Sequence, residues 1–209
     1  ELSAKYNICN PDKIKVIPLG FELDKFQNDI INKRKHFRNQ FSLAEEDIAI
    51  GIIGRLAPIK NHRFFLEAFK QVKEKTTKNV RAFIIGDGSE RESIKSYSTE
   101  LGLDFLNGDF EKGKKASVHF TSWIKEIDVA NAGLDIIALT SLNEGTPVSL
   151  IEAQASNKPI VTTRVGGVTN TVIPNETAFL TEKTDLDSFV NKLLKLVENE
   201  ELRVQMGKN

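Results

Sequence analysis

Two acidic residues in the second half of the chain have a spacing that could serve ligand binding. Glu144 and Glu152 lie eight positions apart in the segment 140–155, which reads TSLNEGTPVSLIEAQA. Pro147 stands where the first residue of a helix would stand, so Glu144 is predicted in the preceding loop and Glu152 within the helix. The backbone amides at such a helix start favour negative charge and the hydroxyl groups of a sugar.

Glu152 follows Val148 by one helical turn, which places both residues, together with Ile151, on the predicted inward side of the helix. A buried acid needs hydrogen-bond donors, and the two hydroxyls of a ribose could supply them. The spacing is equally compatible with a structural interpretation, in which Glu144 is an acid at a helix start and Glu152 is a partly buried structural acid.

Two cations have a comparable position at the end of an apolar run. Arg55 and Lys60 follow a predicted buried strand and precede a predicted helix. An arginine offers a planar fork of donors and a lysine a compact charge, so a diphosphate could lie between them. Loop cations are often merely solvated, however, and the pair taken alone favours that interpretation.

Glycine-rich turns follow two further predicted strands. Gly86 and Gly88 do not complete a dinucleotide fingerprint, because Arg91 stands where G-x-G-x-x-G requires glycine. A tight connection between strand and helix is the favoured explanation for them, with access to a phosphate as a secondary use. Gly166 and Gly167 could bring backbone amides to an anion or could serve packing alone.

The composition narrows the class of protein. Among 209 residues, 40% are hydrophobic, and 29 Lys and Arg balance 29 Asp and Glu. The absence of a basic excess argues against a nucleic-acid binder. Cys9 is the only cysteine, which excludes an internal disulfide and fits a reducing cytoplasm. The chain starts at Glu1 with no signal-peptide pattern, and we interpret it as a fragment.

Short apolar runs alternate with longer amphipathic stretches. This rhythm predicts a doubly wound, mainly parallel, Rossmann-like α/β sheet with helices on both faces. Strands are predicted at 13–17, 47–54, 80–86, 117–123, 134–140 and 160–163. Helices are predicted at 61–75 with Asn61 as the N-cap, at 90–101, from about 124, from 147 and at 185–197. The stretch 105–116 is predicted to be a polar loop or a hairpin. Ligands of such sheets bind at the carboxyl ends of the strands, where the loops described above would lie.

Several segments, taken in order, are similar to a known family. They are VIPLG (16–20), GRLAPIK (54–60), IIGDG (84–88), HFTSW (119–123), SLNEGTPVSLIEA (141–153) and KPIVTTRVGG (158–167). Together with the last amphipathic helix, they resemble the C-terminal, donor-binding domain of the family 4 retaining glycosyltransferases. That family has two Rossmann-like domains that face a cleft, an architecture called GT-B. The resemblance implies one such domain over 1–209, with 1–20 as its entrance and an N-terminal acceptor domain missing.

The resemblance implies a role for each matching position. Arg55 and Lys60 would bind the diphosphate and stabilise it as it leaves, Glu144 would lie beside the donor sugar, and Glu152 would hold the ribose. The other implied donor-binding residues are Gly20, Gly54, Gly86, Gly88, Phe120, Thr121, Ser122, Trp123, Gly145, Thr146, Pro147 and Val148. At the domain entrance, Leu19 stands where the family commonly has asparagine. Ser122 stands where the family commonly has glycine, so the base pocket could differ in shape.

The implied activity is that of a hexosyltransferase that uses a nucleoside-diphosphate sugar, with UDP favoured over GDP or ADP and no cofactor required. No metal is expected, because Asp185-Leu186-Asp187, an Asp-x-Asp sequence, opens the last predicted helix, where aspartate caps. The implied partners are the missing domain and a carbohydrate or lipid-linked acceptor, without nucleic acid. The resemblance also implies a role in polysaccharide or glycolipid synthesis. The enzyme would work in the cytoplasm, at the inner face of a membrane that it contacts through the missing domain.

Other functions remain open from the sequence. A nucleotide-sugar epimerase shares the double-Rossmann plan, and a non-catalytic nucleotide-binding or interaction domain would keep the same loops. A nicotinamide-dependent enzyme is disfavoured by the missing fingerprint. By itself the chain is expected to bind a nucleoside diphosphate weakly and to transfer no sugar.

Overall fold

The computed structural model describes residues 10–15, 17, 19–108 and 115–209. Within these ranges, seven parallel strands form one sheet in the order β3-β4-β2-β1-β5-β6-β7. The strands are β1 (Ile48–Ile53), β2 (Val80–Ile85), β3 (Phe105–Asn107), β4 (Val118–Ser122), β5 (Ile136–Leu139), β6 (Ile160–Thr163) and β7 (Ala178–Thr181). The helices are α1 (Asp24–Gln27), α2 (Ile30–Gln40), α3 (His62–Lys75), α4 (Arg91–Glu100), α5 (Ile127–Gly133), α6 (Val148–Ala155), α7 (Leu186–Glu198) and α8 (Glu200–Lys208).

The central strands are nearly all apolar because helices cover both faces of the sheet. On one face, Ile50 and Ile52 of β1 pack in a cluster with Phe69 of α3 and Leu193 of α7. On the other face, Ala49 and Ile53 belong to a second cluster, which contains Phe37 of α2 and Leu150 of α6. The predicted doubly wound α/β fold with helices on both faces is therefore confirmed.

The strand order places a switch point next to β1. From β1 the chain places β2 beside it, then β3 at the edge of the sheet and β4 between β3 and β2, and then returns to place β5 on the other side of β1. Helices that follow β1 and β5 therefore lie on opposite faces, and their connecting loops diverge at the carboxyl edge. This is the position at which open α/β sheets bind ligands.

The predicted strand at 13–17 is wrong. Pro11–Lys13 forms a 3₁₀ turn, Ile14, Lys15 and Ile17 pair with no strand among the described residues, and Val16 lies outside them. Ile17 is 78% exposed. An apolar run becomes a strand only where a neighbouring strand accepts its backbone groups, and none of the seven strands described pairs with this segment.

The prediction of a loop or hairpin at 105–116 is wrong for Phe105–Asn107. These residues form β3, which is parallel to β4, whereas the strands of a hairpin are antiparallel. The ring of Phe105 packs edge-to-face against Phe120, so a tertiary contact stabilises a strand in a sequence of weak strand pattern. Residues 109–114 lie outside the described part of the chain.

Helix α2 was not predicted, because its exposed face carries Ile31 and its buried face carries Arg38. The guanidinium of Arg38 bonds the Asp135 carboxylate and the backbone carbonyls of Gly133 and Asp47, which offsets the cost of its burial. The buried face therefore combines the apolar Phe37 with a charged side chain, which departs from the usual apolar pattern. β7 and α8 also form without having been predicted.

No helix in the described ranges is both long and apolar enough to cross a membrane.

Candidate functional site

The loops that follow β1 and β5 are joined at the carboxyl edge of the sheet. The amide of Leu142 donates a hydrogen bond to the carbonyl of Ile59 at 2.8 Å. The hydroxyl of Thr140 lies within hydrogen-bonding distance of the carbonyl oxygens of Lys60 (3.0 Å) and Asn61 (3.1 Å). These bonds hold the 3₁₀ turn Pro58–Lys60 against the end of β5.

Lys60 and Glu144 form an ion pair across the switch point. The ammonium Nζ of Lys60 lies 2.6 Å from Oε1 of Glu144, and the hydroxyl of Ser141 donates to the same oxygen at 2.6 Å. The Lys60 side chain is 22% exposed and that of Glu144 is 9% exposed. This partial burial strengthens the attraction relative to a pair on the surface. The predicted phosphate-binding cation and the predicted sugar-binding acid are thus direct neighbours.

Arg55 remains exposed at the same edge. Its side chain forms no ion pair with any residue that the structure describes. Leu56, the next residue, is fully buried and fixes the turn from which Arg55 emerges. Its guanidinium fork is consequently available to an anion without loss of an internal contact.

Gly86 and Gly88 allow the turns after β1 and β2 to touch. A Cβ at Gly86 would collide with the carbonyl oxygen of Gly54, and a Cβ at Gly88 would collide with that of Leu56. The amide of Leu56 donates to the carbonyl of Asp87 at 2.9 Å. These contacts favour the interpretation in which both glycines serve a tight connection, which places the Arg55 turn.

Gly166 and Gly167 have the same function for a second pair of loops. A Cβ at Gly167 would lie inside the contact distance of the Gly145 carbonyl oxygen, and one at Gly166 would collide with that of Glu144. Gly166 also has a φ of 47°, which glycine adopts at little cost. The Gly167 amide donates to the Glu144 carbonyl at 2.9 Å, so packing of the Glu144 loop explains these glycines.

Helix α6 begins at Val148, with Pro147 at the N-cap position rather than as the first helical residue predicted. The preceding amides of Gly145 and Thr146 donate to no described residue. Gly145, Thr146 and Val148 are exposed, whereas Pro147 is buried. The loop therefore presents unpaired backbone donors beside Glu144, at the positive end of a helix dipole.

Glu152 does not lie on the core side of α6 as the spacing predicted. The buried residues of this helix include Leu150 and Ala153, whereas Val148 is exposed and Ile151 is half-buried. The reason is that α6 packs on the sheet through the Leu150 side and turns its Glu152 side toward α1.

The carboxylate of Glu152 is half-buried without a hydrogen-bond donor among the described residues. Burial raises the pKa of Glu152, and the nearby charge of Lys25 opposes that rise. A carboxylate in such surroundings gains from any ligand that brings hydroxyl donors to it.

The segment 120–123 changes from core to surface within four residues. The side chains of Phe120 and Thr121 are buried, so only their backbone can meet a ligand, whereas Trp123 is 60% exposed. Ser122 has a φ of 58°, in the left-handed region, and its carbonyl accepts from the Gly86 amide at 3.0 Å. Glycine adopts this conformation without a side-chain penalty. This is a physical reason why glycine is common at this position in the family that the chain resembles.

A cavity of about 440 Å³ lies beside the α6 start. Its walls come from Leu19 and Phe21, from Gly145 and Thr146, and from residues of α6 and of the loop after β6. Gly20 lies in the same segment as Leu19, with open space around its Cβ position. The predicted entrance segment thus borders the predicted sugar-binding loop.

The predicted site residues do not all lie at the surface. Arg55, Lys60, Glu144 and the Gly145–Thr146 backbone lie along one rim, whereas the side chain of Phe120 lies in the core. Sequence reasoning missed Thr140, Ser141 and Thr163, whose hydroxyls bond across the loops. The only sequence signal for them is a run of hydroxyl residues at the ends of two strands.

Asp185 accepts a hydrogen bond from the Ser188 amide at 2.9 Å, which confirms that it caps α7. Asn61 stands at the N-cap of α3 as predicted, in a left-handed conformation and without a capping bond from its side chain. Within the described residues, no group of three or more Asp, Glu, His or Cys is placed to hold a metal ion.

The chain resembles solved glycosyltransferase structures along most of its length. The C-terminal domain of the glycosyl transferase group 1 family protein LpcC from Francisella tularensis superposes with a TM-score of 0.71 at 22% identity, covering 91% of this chain and 94% of that one. HepE from Anabaena, in complex with UDP-glucose, superposes with a TM-score of 0.79 at 22% identity, covering 96% of this chain and 52% of that one. These likenesses show the fold.

Curated relatives are closer in sequence. A UDP-Gal:alpha-D-GlcNAc-diphosphoundecaprenol alpha-1,3-galactosyltransferase from Escherichia coli is 32% identical over 212 residues, which is 100% of this chain and 51% of the relative. The capsular polysaccharide biosynthesis glycosyltransferase CapM from Staphylococcus aureus is 28% identical over 97% of this chain and 51% of its own length. The chain thus spans about half the length of these relatives. Residues 33–209 match the sequence model described as "Glycosyl transferases group 1", and the chain belongs to that family.

Proposed function

We propose that this chain binds the donor in a retaining glycosyltransferase that transfers a sugar from a nucleoside-diphosphate sugar to an acceptor. The observation that carries the proposal is the meeting of Lys60 with Glu144 at the switch point, beside the exposed Arg55 and the unpaired amides before α6. Cations for a diphosphate and acceptors for sugar hydroxyls thereby share one rim.

In the proposed transfer, these groups act on the charge of the leaving diphosphate. The bond between the anomeric carbon and the phosphate oxygen breaks, and its electron pair stays on the phosphate. A new bond forms from the anomeric carbon to the acceptor oxygen, and the proton of that hydroxyl passes to the leaving phosphate. Negative charge grows on the leaving diphosphate. Arg55, Lys60 and the α6 start stabilise this charge more strongly than the charge of the ground state, which accelerates the reaction.

Glu152 holds the ribose in this proposal. Its half-buried carboxylate has no donor among the described residues, and two ribose hydroxyls would satisfy it. The backbone around Ser122 receives the base, and Gly145 with Thr146 meets the sugar. A UDP-sugar is the favoured donor, since HepE binds UDP-glucose on the same fold.

We also propose where the acceptor binds, what the acceptor is and where the enzyme works. The acceptor site, and any base that faces the donor, would come from a second, N-terminal domain, because the chain covers only about half of its relatives. The acceptor is a carbohydrate or a lipid-linked carbohydrate. We propose that the enzyme works in polysaccharide or glycolipid synthesis, which the names of the two relatives support. We also propose that it works in the cytoplasm, at the inner face of a membrane.

Calorimetric titration of the chain with UDP, GDP, ADP and NAD tests donor binding. We expect one nucleoside diphosphate, with UDP favoured, to bind more tightly than NAD; tighter binding of NAD than of all three diphosphates would overturn the proposal. Product analysis with the full-length protein tests the reaction. A new glycosidic bond supports transfer, whereas an isomerised sugar nucleotide would show an epimerase.

A further inference from the structure

We propose that Ser141 is a positioning residue, whose hydroxyl holds one oxygen of Glu144 so that the other oxygen accepts a hydrogen bond from a hydroxyl of the donor sugar. The inference rests on the proposed function and deepens it, since it assigns the residue that orients the sugar-binding acid.

Both internal donors of Glu144 act on the same oxygen. The Lys60 ammonium and the Ser141 hydroxyl each lie 2.6 Å from Oε1, whereas Oε2 accepts from no residue that the structure describes. A carboxylate held by two donors on one oxygen has a defined plane and keeps the lone pairs of its second oxygen for a ligand.

Ser141 is placed more rigidly than Lys60. It is fully buried, it follows directly after Thr140 at the end of β5, and its carbonyl accepts from the Thr163 hydroxyl at 2.6 Å. A serine hydroxyl has a single rotatable side-chain bond before the oxygen, whereas a lysine ammonium loses much rotamer entropy when it is held. The fixed point of the Glu144 carboxylate is therefore Ser141.

Lys60 is charged and Ser141 is neutral, and this difference determines which donor stays on Glu144 when a diphosphate binds. A diphosphate attracts the Lys60 ammonium, because the diphosphate of a sugar nucleotide carries two negative charges and the Glu144 carboxylate carries one. The neutral hydroxyl of Ser141 has no such competing partner and stays on Oε1 when Lys60 turns toward the phosphate. The Glu144 backbone is held independently by the Gly167 amide at 2.9 Å, so the orientation of the carboxylate persists.

The test compares a sugar nucleotide with its nucleoside diphosphate, both titrated by calorimetry into the same protein. The probes are UDP, UDP-glucose, UDP-galactose and the GDP and ADP equivalents, from which the pair that binds the wild type most tightly is taken. Ser141→Ala should raise the dissociation constant of the sugar nucleotide about 10-fold, the scale of one hydrogen bond to a charged group, and that of the diphosphate less than about twofold.

A double-mutant cycle with Glu144→Gln provides the second readout. In the Glu144→Gln background, Ser141→Ala should change neither dissociation constant more than about twofold, because the oriented carboxylate is gone. The matched control is Ser98→Ala, which removes an equally buried hydroxyl that donates to the Leu103 carbonyl far from the rim. If Ser141→Ala does not fold, Ser141→Cys serves instead, since a thiol is a weak donor of similar size.

Equal weakening of both ligands by Ser141→Ala would assign Ser141 a merely structural role and overturn the inference, while leaving the proposed function intact. An unchanged preference for the sugar nucleotide would overturn it as well. A wild-type chain that binds neither diphosphates nor sugar nucleotides would overturn the proposed function and, with it, this inference.

Discussion

The ammonium of Lys60 and the carboxylate of Glu144 are separated by 84 positions in the chain and by 2.6 Å in space. The contact exists because β1 and β5 are neighbours, so that the residues following each strand meet at the carboxyl edge. The cation proposed for the diphosphate is paired with the acid proposed for the sugar. Donor binding must therefore share or exchange this contact.

If Lys60 stabilises the leaving diphosphate as proposed, replacing it by alanine should lower the transfer rate of the full-length enzyme roughly 100- to 1,000-fold. It should also lower the free energy of unfolding by about 1–3 kcal/mol, since the nearly buried Glu144 carboxylate keeps Ser141 alone as its donor. Steady-state kinetics and urea denaturation measure the two effects. Lys70→Ala, which removes an exposed partner of Glu74 on α3, is the control and should alter neither. Retention of full activity by Lys60→Ala would remove Lys60 from the catalytic groups.

Replacing Glu152 by glutamine should weaken nucleoside-diphosphate binding about 10- to 100-fold, which corresponds to loss of a charged acceptor for the ribose. The same change should not lower the melting temperature of the ligand-free protein. Burial raises the pKa of Glu152 in the folded state, which means that the ionised acid opposes folding above its unfolded pKa. Calorimetry and thermal melting report the two quantities, with the exposed Glu201→Gln as the control. An unchanged affinity would exclude Glu152 from the site.

Replacing Gly167 by alanine should displace the Glu144 loop, because the added Cβ would overlap the Gly145 carbonyl oxygen. We expect a loss of about 1–3 kcal/mol in the free energy of unfolding, as for overpacking elsewhere, together with weaker binding of sugar nucleotides. Gly102→Ala is the comparison, since Gly102 has a φ of 73° but open space around it. It should cost about 1 kcal/mol of stability through backbone strain and leave binding unchanged. Equal ligand affinity in both variants would show that the loop contact does not shape the site.

Acid should destabilise the fold in part through His62. This side chain is 2% exposed, and neither ring nitrogen has a hydrogen-bond partner among the described residues. Burial, and secondarily the charge of Lys60, lower the pKa of His62 to about 4. Because the folded pKa lies below the unfolded value of about 6.5, the neutral ring favours folding above pH 6.5, and this stability is lost as the pH falls toward 4.

The corresponding experiment measures urea denaturation from pH 7 to pH 4.5. His62→Leu should remove up to about 3 kcal/mol of the acid-induced loss, since each pKa unit corresponds to about 1.4 kcal/mol. His119, whose pKa burial also lowers to about 4, keeps part of the acid sensitivity in this variant. His36→Leu, on the exposed side of α2, is the control. The same slope in wild type and His62→Leu would contradict the prediction.

Much of the architecture was predictable because buried parallel strands leave a local signature. The apolar runs at 48–53, 80–85 and 160–163 form the expected strands, and the helical spacing of Phe65, Phe69 and Val72 matches α3. Local patterns failed where a tertiary contact decides the outcome. β3 depends on Phe105 against Phe120, and α2 depends on the bonds of a buried arginine.

The sequence by itself determined the alternation of strands and helices, the rim positions of Arg55, Lys60 and Glu144, and the family resemblance that names their roles. These follow from periodicity and from residue order, which are properties of the chain alone. Only the tertiary structure decided that β5 lies against β1, that Ser141 and Lys60 share one oxygen of Glu144, and that Glu152 faces away from the core. Strand order and helix rotation result from packing between distant segments. The spacing of residues within one segment does not determine which other segments it will contact.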